Sequence, residues 1–499
     1  MSTFKPNEII ELIRTKDSDY WMKVREKTSL ELFHKAADDV PAYKDFLNKN
    51  KIKHELIKSW NDFQLVPHTN KKNYLREYPL DKLCWDGTVN KPMVFTATSG
   101  STGDPVYFVR QNKLDWQYSI ILEQFLKNNF HNGDPVLVIV CFGMGLWIGG
   151  LLTYKAFELA SIRNNLPLSV ITPGINKKEI FNALRNIAPF YKNVIFAGYP
   201  PFIKDIIDEA EDNGVNLRKY ETRLLFAAEA ISEEFRDYVS QKLRIKDKYR
   251  GIISIYGSAD IGAMANETLV SILIRRIARK NKEVFNNVFT KTNKNPTLAQ
   301  YNPYFINFES VNEEILLTGD SAIPLVRYSI GDHGGVFSFN EVVDKLESFD
   351  IDLYKEARRL RIDNDLYKLP FVYVYERIDL STTFYGLLIY PEWIRPAFLE
   401  KTVSEYVTGK FTMLTKYDEI NNQYLEINIE LQKGKKSTKR LEKLITQKIV
   451  QHLQSSSSEY REIYHHLKFR ALPKLIFWPA ENPLYFAPGV KQRWVIKEK

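Results

Sequence analysis

The chain has 499 residues, 44% hydrophobic and 26% charged, with a formal net charge of +9 at pH 7, which is enough ordinary globular sequence for two or three domains. Cys84 and Cys141 are the only cysteines, which excludes a disulfide framework and a four-thiolate metal site. No run approaches the ~20 apolar residues of a membrane span, and the opening Met1–Glu8 lacks a signal-peptide core, so a cytoplasmic protein without a membrane partner is expected.

Residues 1–90 read as a helical and irregular region. Tyr20 to Ala37 places Trp21, Val24, Leu32, Phe33 and Ala36 near helical spacing, and Ser59–Phe63 leads to Pro67 and a polar stretch. The apolar runs Met93–Phe95 and Val106–Val109 then flank a loop of hydroxyls and glycines, Thr98-Ser99-Gly100-Ser101-Thr102-Gly103. Gly100 and Gly103 can take positive φ at little cost, and the loop offers several N–H and O–H donors at one point. That is the chemistry of an anion nest for phosphate, although a Gly/Ser/Thr-rich hairpin also serves as a plain turn. It is not a Walker loop, because no Gly-Lys-Ser/Thr ends it and a strand follows.

From Lys113 the pattern becomes regular. Helices are expected at Leu114–Asn128, Leu146–Ile162, Lys177–Ile187, Pro201–Asp212 and Ser232–Leu243. Between them fall the all-apolar runs Val136–Phe142, Leu168–Ile171, Val194–Ala197, Leu224–Ala227 and Ile252–Ile255. Short apolar strands alternating with amphipathic helices predict an α/β fold with mostly parallel strands covered on both faces. Residues 268–300 interrupt this rhythm and read as a surface helix and loop. The strands that follow, Glu314–Leu317 and Phe371–Val374, have a more antiparallel style. A small α+β unit is expected from 377 to 499, after a large domain of 1–376. It would contain strands Thr412–Lys416 and Tyr424–Glu430, helix Thr438–Leu453, a loop at Ser455–Ser458 and strand over Lys468–Trp478.

The basic runs Arg275–Lys282 and Lys433–Arg440 are read as solvated faces in preference to a nucleic-acid surface, and contact with an anionic cofactor such as coenzyme A remains a further reading. Neither oligomeric state nor pathway is legible.

Chemistry-bearing residues recur at the ends of the predicted strands, where ligands gather in parallel sheets. Ala228-Glu229 follows one strand and Tyr256-Gly257-Ser258-Ala259-Asp260 the next. Tyr256 is suited to lie against a base, and Asp260 to hold Mg²⁺. Arg327–Asp332 ends in a Gly-Asp turn whose carboxylate suits a ribose diol. Arg377 could pair with phosphate, Asp379 falls at the domain boundary, and Lys491 lies near the end after Pro483 and Pro488.

In this order these segments resemble the adenylate-forming superfamily of acyl-CoA synthetases, luciferases and adenylation domains, over nearly the whole chain. The phenylacetate–CoA ligase-like branch fits best, with Val40–Tyr43, Asp62–Pro67 and the glycine-rich Phe142–Gly150 as further matches. The resemblance implies a large nucleotide-binding domain and a small C-terminal lid. It implies that a carboxylic acid and ATP give acyl-AMP and pyrophosphate, and that coenzyme A then displaces AMP. Thr98, Ser99, Gly100, Ser101, Thr102 and Gly103 would cradle the phosphates. Ala228 and Glu229 would line the adenine pocket with Tyr256; Gly257 and Ser258 would also contact the nucleotide, and Asp332 would bind ribose. Asp260 would stand in for a metal-binding Glu, Arg377 would contact phosphate and ribose, and Asp379 would mark the hinge. Lys491 would bridge the substrate carboxylate and the α-phosphate, with Thr98 and Arg377 in the same catalytic set. Two other readings are an adenylate-forming enzyme with a different acceptor (an amine, a protein group, or adenylyl transfer itself) and a degenerate nucleotide-binding scaffold.

Overall fold

The structure is a computed structural model that describes residues 5–97, 107–130, 133–289, 296–375, 381–486 and 494–496. Five strands form its parallel half: β1 (Val136–Cys141), β2 (Leu168–Ile171), β3 (Asn193–Gly198), β4 (Glu221–Ala227) and β5 (Ile252–Ser258). Every residue of β1 and β3 is buried, as an apolar run covered on both faces requires. The crossover helices are α2 (Ile148–Asn164), α3 (Lys177–Asn186), α4 (Pro200–Glu209) and α5 (Glu233–Leu243), with α1 (Asn112–Asn129) preceding β1. Ser232 starts α5 by accepting from Phe235 N at 3.1 Å, with Glu233 and Glu234 at the positive end of the helix dipole.

Beyond β5 the same sheet continues antiparallel through β6 (Gly262–Asn266), β7 (Thr297–Gln300), β8 (Ile306–Val311), β9 (Glu314–Gly319), β10 (Leu325–Phe337) and β11 (Phe371–Tyr375). The spatial order is β8-β9-β10-β11-β7-β6-β5-β4-β3-β1-β2, with Thr69–Asn70 pairing parallel to β10 as the twelfth strand. The sheet is therefore mixed, and the order reverses between β1 and β3.

The N-terminal helices Pro6–Thr15, Ser18–Asp39 and Pro41–Lys49 pack on this large domain through fully buried Trp21 and Phe33. Arg327, buried with φ +44°, ties the two regions by donating to Val66 O and to Glu309 Oε2.

The reading of 268–300 as surface needs correction. Helix α6 (Leu269–Lys280) buries eight residues, among them Arg275. Within the basic run, Arg275 is not solvated; its guanidinium pairs with Glu267 and Glu233. A charge goes inside here because two buried carboxylates compensate it.

The small C-terminal sheet is β12 (Val407–Tyr417), β13 (Gln423–Leu431) and β14 (Lys474–Trp478), antiparallel then parallel. Helices α7 (Lys439–Ser456) and α8 (Ser458–Leu467) accompany it. The expected serine loop is nearly all helix: α7 runs to Ser456, and Ser457 caps α8 by accepting from Tyr460 N at 3.1 Å. Strand over Lys468–Trp478 begins only at Lys474, after a 3₁₀ turn at Lys468–Ala471. One apolar core runs from β1, β3 and α4 into the small unit through Phe384, Tyr385, Ile427 and Ile445. No described helix is long and apolar enough to cross a membrane.

Candidate active site

A cavity of about 360 Å³ opens at the carboxyl ends of β3, β4 and β5 and is closed from the other side by the small domain. This is where the sheet order reverses, the place where open α/β sheets leave a crevice. The residues that end β1 and β3, Phe142 and Tyr199, meet edge to face there with centroids 5.1 Å apart. With Trp147, Ile148 and Leu152 they form the apolar end of the cavity. Burial holds the Tyr199 phenol well above its ordinary pKa, so it stays protonated.

The polar end gathers residues that are far apart in sequence. Ala228 and Glu229 follow β4, with Ala228 at φ +73°, a left-handed conformation that costs an alanine about 1 kcal/mol or more. Tyr256, Gly257 and Ser258 close β5, and Gly257 has backbone Gly262 O where a Cβ would need to stand 2.6 Å away. Asp332 follows Gly331 at φ +85° and accepts a 2.6 Å hydrogen bond from the Tyr256 hydroxyl. The Tyr256 ring packs near Phe308, with centroids 6.1 Å apart. Ser258 Oγ is buried without a hydrogen-bond partner and borders the cavity, as a hydroxyl does when a ligand completes it.

Asp260 is buried, and both its oxygens are engaged. Lys71 Nζ lies 3.2 Å from Oδ1, and the Tyr328 hydroxyl donates to Oδ2 at 2.7 Å. Among the described residues no group of three or more His, Cys, Asp or Glu side chains could hold a metal ion. The charge that compensates Asp260 is the partly exposed Lys71 ammonium.

Glu229 faces the small domain. Its Oε1 accepts from Gly386 N, and its Oε2 accepts from Gln423 Nε2 at 2.8 Å. Gly386 takes φ +79° with Tyr199 directly beneath, where a Cβ would stand 2.5 Å from the ring. The hairpin Thr382–Phe384/Leu387–Ile389 is thus pressed onto the end of β3. Nearby, Tyr385 Oη donates to Asp205 at 3.0 Å, and Lys204 Nζ to Asn422 Oδ1 at 2.8 Å.

Ala228, Glu229, Tyr256, Gly257, Ser258, Asp260 and Asp332 are therefore brought to one cavity. Thr98, Ser99, Gly100, Ser101, Thr102, Gly103, Arg377, Asp379 and Lys491 lie outside the described residues, as does the expected 376/377 boundary. The strands flanking the hydroxyl loop, Val94–Ala97 and Tyr107–Arg110, pair antiparallel, and Ala97 borders the cavity. Beyond Lys491, Trp494–Ile496 join the small sheet through Met413 N to Trp494 O at 2.9 Å and Ile496 N to Met413 O at 3.1 Å. Sequence reasoning missed Lys71, Tyr199, Gly386, Gln423 and Glu459. Only Glu459 had a signal, a serine-capped start of helix.

No protein-family model and no curated protein matches the chain. Solved structures do. 2-Hydroxyisobutyryl-CoA ligase with 2-HIB-AMP and CoA in the thioesterification state matches at TM-score 0.64 and 17% identity, over 97% of this chain and 91% of that one. An open conformation of that ligase with the same two ligands gives 0.53 and 16% identity, over 97% and 93%. Its postadenylation state with 2-HIB-AMP gives 0.52 and 15% identity, over 98% and 92%. These likenesses establish the fold, which the chain shares with that ligase.

Proposed function

We propose that the chain activates a carboxylic acid with ATP as an acyl-adenylate, releases pyrophosphate, and passes the acyl group to coenzyme A. The observation that carries this reading is the interdomain cavity at the strand ends, with a nucleotide-suited polar end and an apolar end. Phe142, Trp147, Ile148, Leu152 and Tyr199 would receive the apolar body of the acid. Asp332 would accept hydrogen bonds from the ribose hydroxyls, Ser258 would gain its missing partner, and Tyr256 would border the adenine. The hydroxyl loop Thr98–Gly103 would supply N–H donors to phosphate. Lys71, and Lys491 when delivered by the lid, would place positive charge where the transition state gathers negative charge. Arg377 would contact phosphate and ribose, and Asp379 would turn the lid. Mg²⁺ would enter with ATP.

The arrangement of the domains supports a second, acyl-transferring step. Likeness is higher to the thioesterification state of the ligase, 0.64, than to its open and postadenylation states, 0.53 and 0.52. The test is a panel of carboxylic acids with ATP, Mg²⁺ and coenzyme A, reading pyrophosphate release and thioester mass. The expected result is acid-dependent pyrophosphate and a CoA thioester for apolar acids. Pyrophosphate without thioester would move the acceptor to an amine or another group. No pyrophosphate with any acid would refute adenylation and favour the nucleotide-binding scaffold.

A further inference from the structure

Among the described residues four carboxyl groups line the cavity, and three are already committed. Glu229 is held by Gly386 and Gln423, Asp260 by Lys71 and Tyr328, and Asp332 by Tyr256. The fourth is Glu459, the second residue of α8 on the small domain. It makes no hydrogen bond or ion pair with any described residue. We infer that Glu459 is the general base of acyl transfer, taking the proton from the acceptor nucleophile as that nucleophile attacks the acyl-adenylate. The inference rests on the proposed function and deepens it.

Three observations support it. Glu459 belongs to the domain that closes the cavity, so it is present when the domains are docked. Its neighbours are those of a base, not of an ion pair: the Tyr199 phenol feels its charge, and no cation among the described residues acts on it. Burial alone raises its pKa from the model-peptide range to about 7. A base near neutrality suits a thiol, whose ordinary pKa is about 8.5 and which is mostly protonated at neutral pH.

The step balances. The lone pair of the acceptor sulfur forms the bond to the acyl carbon. The bond from that carbon to the adenylate oxygen breaks, and AMP leaves with the electron pair. The sulfur's proton passes to a Glu459 oxygen. An amine acceptor would lose its proton by the same route.

The test uses Glu459→Gln in the full chain, with the acid found by the pyrophosphate screen and coenzyme A as acceptor. The glutamine is isosteric and breaks no hydrogen bond, so folding is retained. First-turnover pyrophosphate release should be unchanged, and thioester formation at neutral pH should fall about 100-fold. The gap should narrow as pH rises toward about 8.5, where the thiol ionises unaided. Glu459→Asp should recover part of the rate. A thioester rate equal to the parent's, or a loss that is the same at every pH, overturns the assignment. So does carboxyl-labelled glutamate NMR if no resonance titrating near 7 disappears in Glu459→Gln. Absence of pyrophosphate with every acid overturns the proposed function itself, and this inference with it.

Discussion

Replacing Glu229 by alanine should loosen the docking of the small domain. The carboxylate accepts two hydrogen bonds across the interface, from Gly386 N and from Gln423 Nε2. The Tyr417 hydroxyl, at 3.5 Å, is too far to add much. Hydrogen bonds to a charged group contribute about 1.5–3 kcal/mol each, and the partly exposed Glu229 belongs at the low end. Two bonds then give about 3 kcal/mol, and at about 1.4 kcal/mol per decade the ratio of undocked to docked molecules rises about 100-fold. The apolar contacts around Tyr385 and its bond to Asp205 also hold the small domain in place. Single-molecule energy transfer measures the ratio directly. Both native cysteines are buried, so dyes on Ile162→Cys and Phe469→Cys, two exposed positions, report the domain separation. Glu229→Gln keeps one acceptor oxygen and should fall between parent and alanine. An unchanged open fraction in Glu229→Ala would refute the claim that this carboxylate holds the domains together.

Asp332→Ala should weaken AMP binding about 10- to 100-fold, the worth of one charge-assisted hydrogen-bond pair to ribose; calorimetry with AMP checks it, and an unaltered Kd would remove Asp332 from the nucleotide site. Lys71→Met leaves the Asp260 carboxylate buried beside Tyr328 without its cation and should cost about 3 kcal/mol in a denaturant melt, whereas adding Asp260→Asn should restore most of it. Burial pushes the Glu123 pKa up, but hydrogen bonds from Lys127, Asn164 and Arg163 together hold it below the ordinary value. Its contribution is therefore present above about pH 4.3 and is lost as pH falls through the depressed folded value, so Glu123→Gln should lower Tm at neutral pH and converge with the parent in acid.

The parallel half of the sheet was readable because its strands carry their burial in their composition. Val136–Cys141 is apolar on both faces, and a helix starting at Ser232 announces itself by cap and charge. Asp260, Glu229 and Asp332 could be singled out, but their partners could not. Gly386 and Gln423 lie 157 and 194 residues beyond Glu229, and nothing local marks either of them. The internal pairing of Asp260 with Lys71 was equally hidden, since a lysine after a polar stretch looks solvated. Arg275 misled for the opposite reason: a basic run on one helix was split by the fold into a buried, twice-paired Arg275 and the exposed Arg279 and Lys280. Glu459 was missed because four serines in a row suggest a loop, whereas only Ser457 leaves the helical path, as the cap of α8.

The carboxyl groups that line the cavity divide between the domains in a way that bears on how one cavity could serve two reactions. On the large domain the acids are tied down and the Lys71 charge is compensated, so that side presents a fixed field suited to holding a nucleotide without reorganisation. On the small domain Glu459 has no partner among the described residues, and burial in the cavity raises its proton affinity. Undocking would return Glu459 to water and lower its pKa toward about 4.3, making it too weak a base for a thiol. Rotation of the lid would then switch the base off as well as move it, and premature attack on the adenylate would be disfavoured until the domains close. If the pH dependence of thioester formation were unchanged in Glu229→Ala, where docking is weakened, this coupling of base strength to closure would fail.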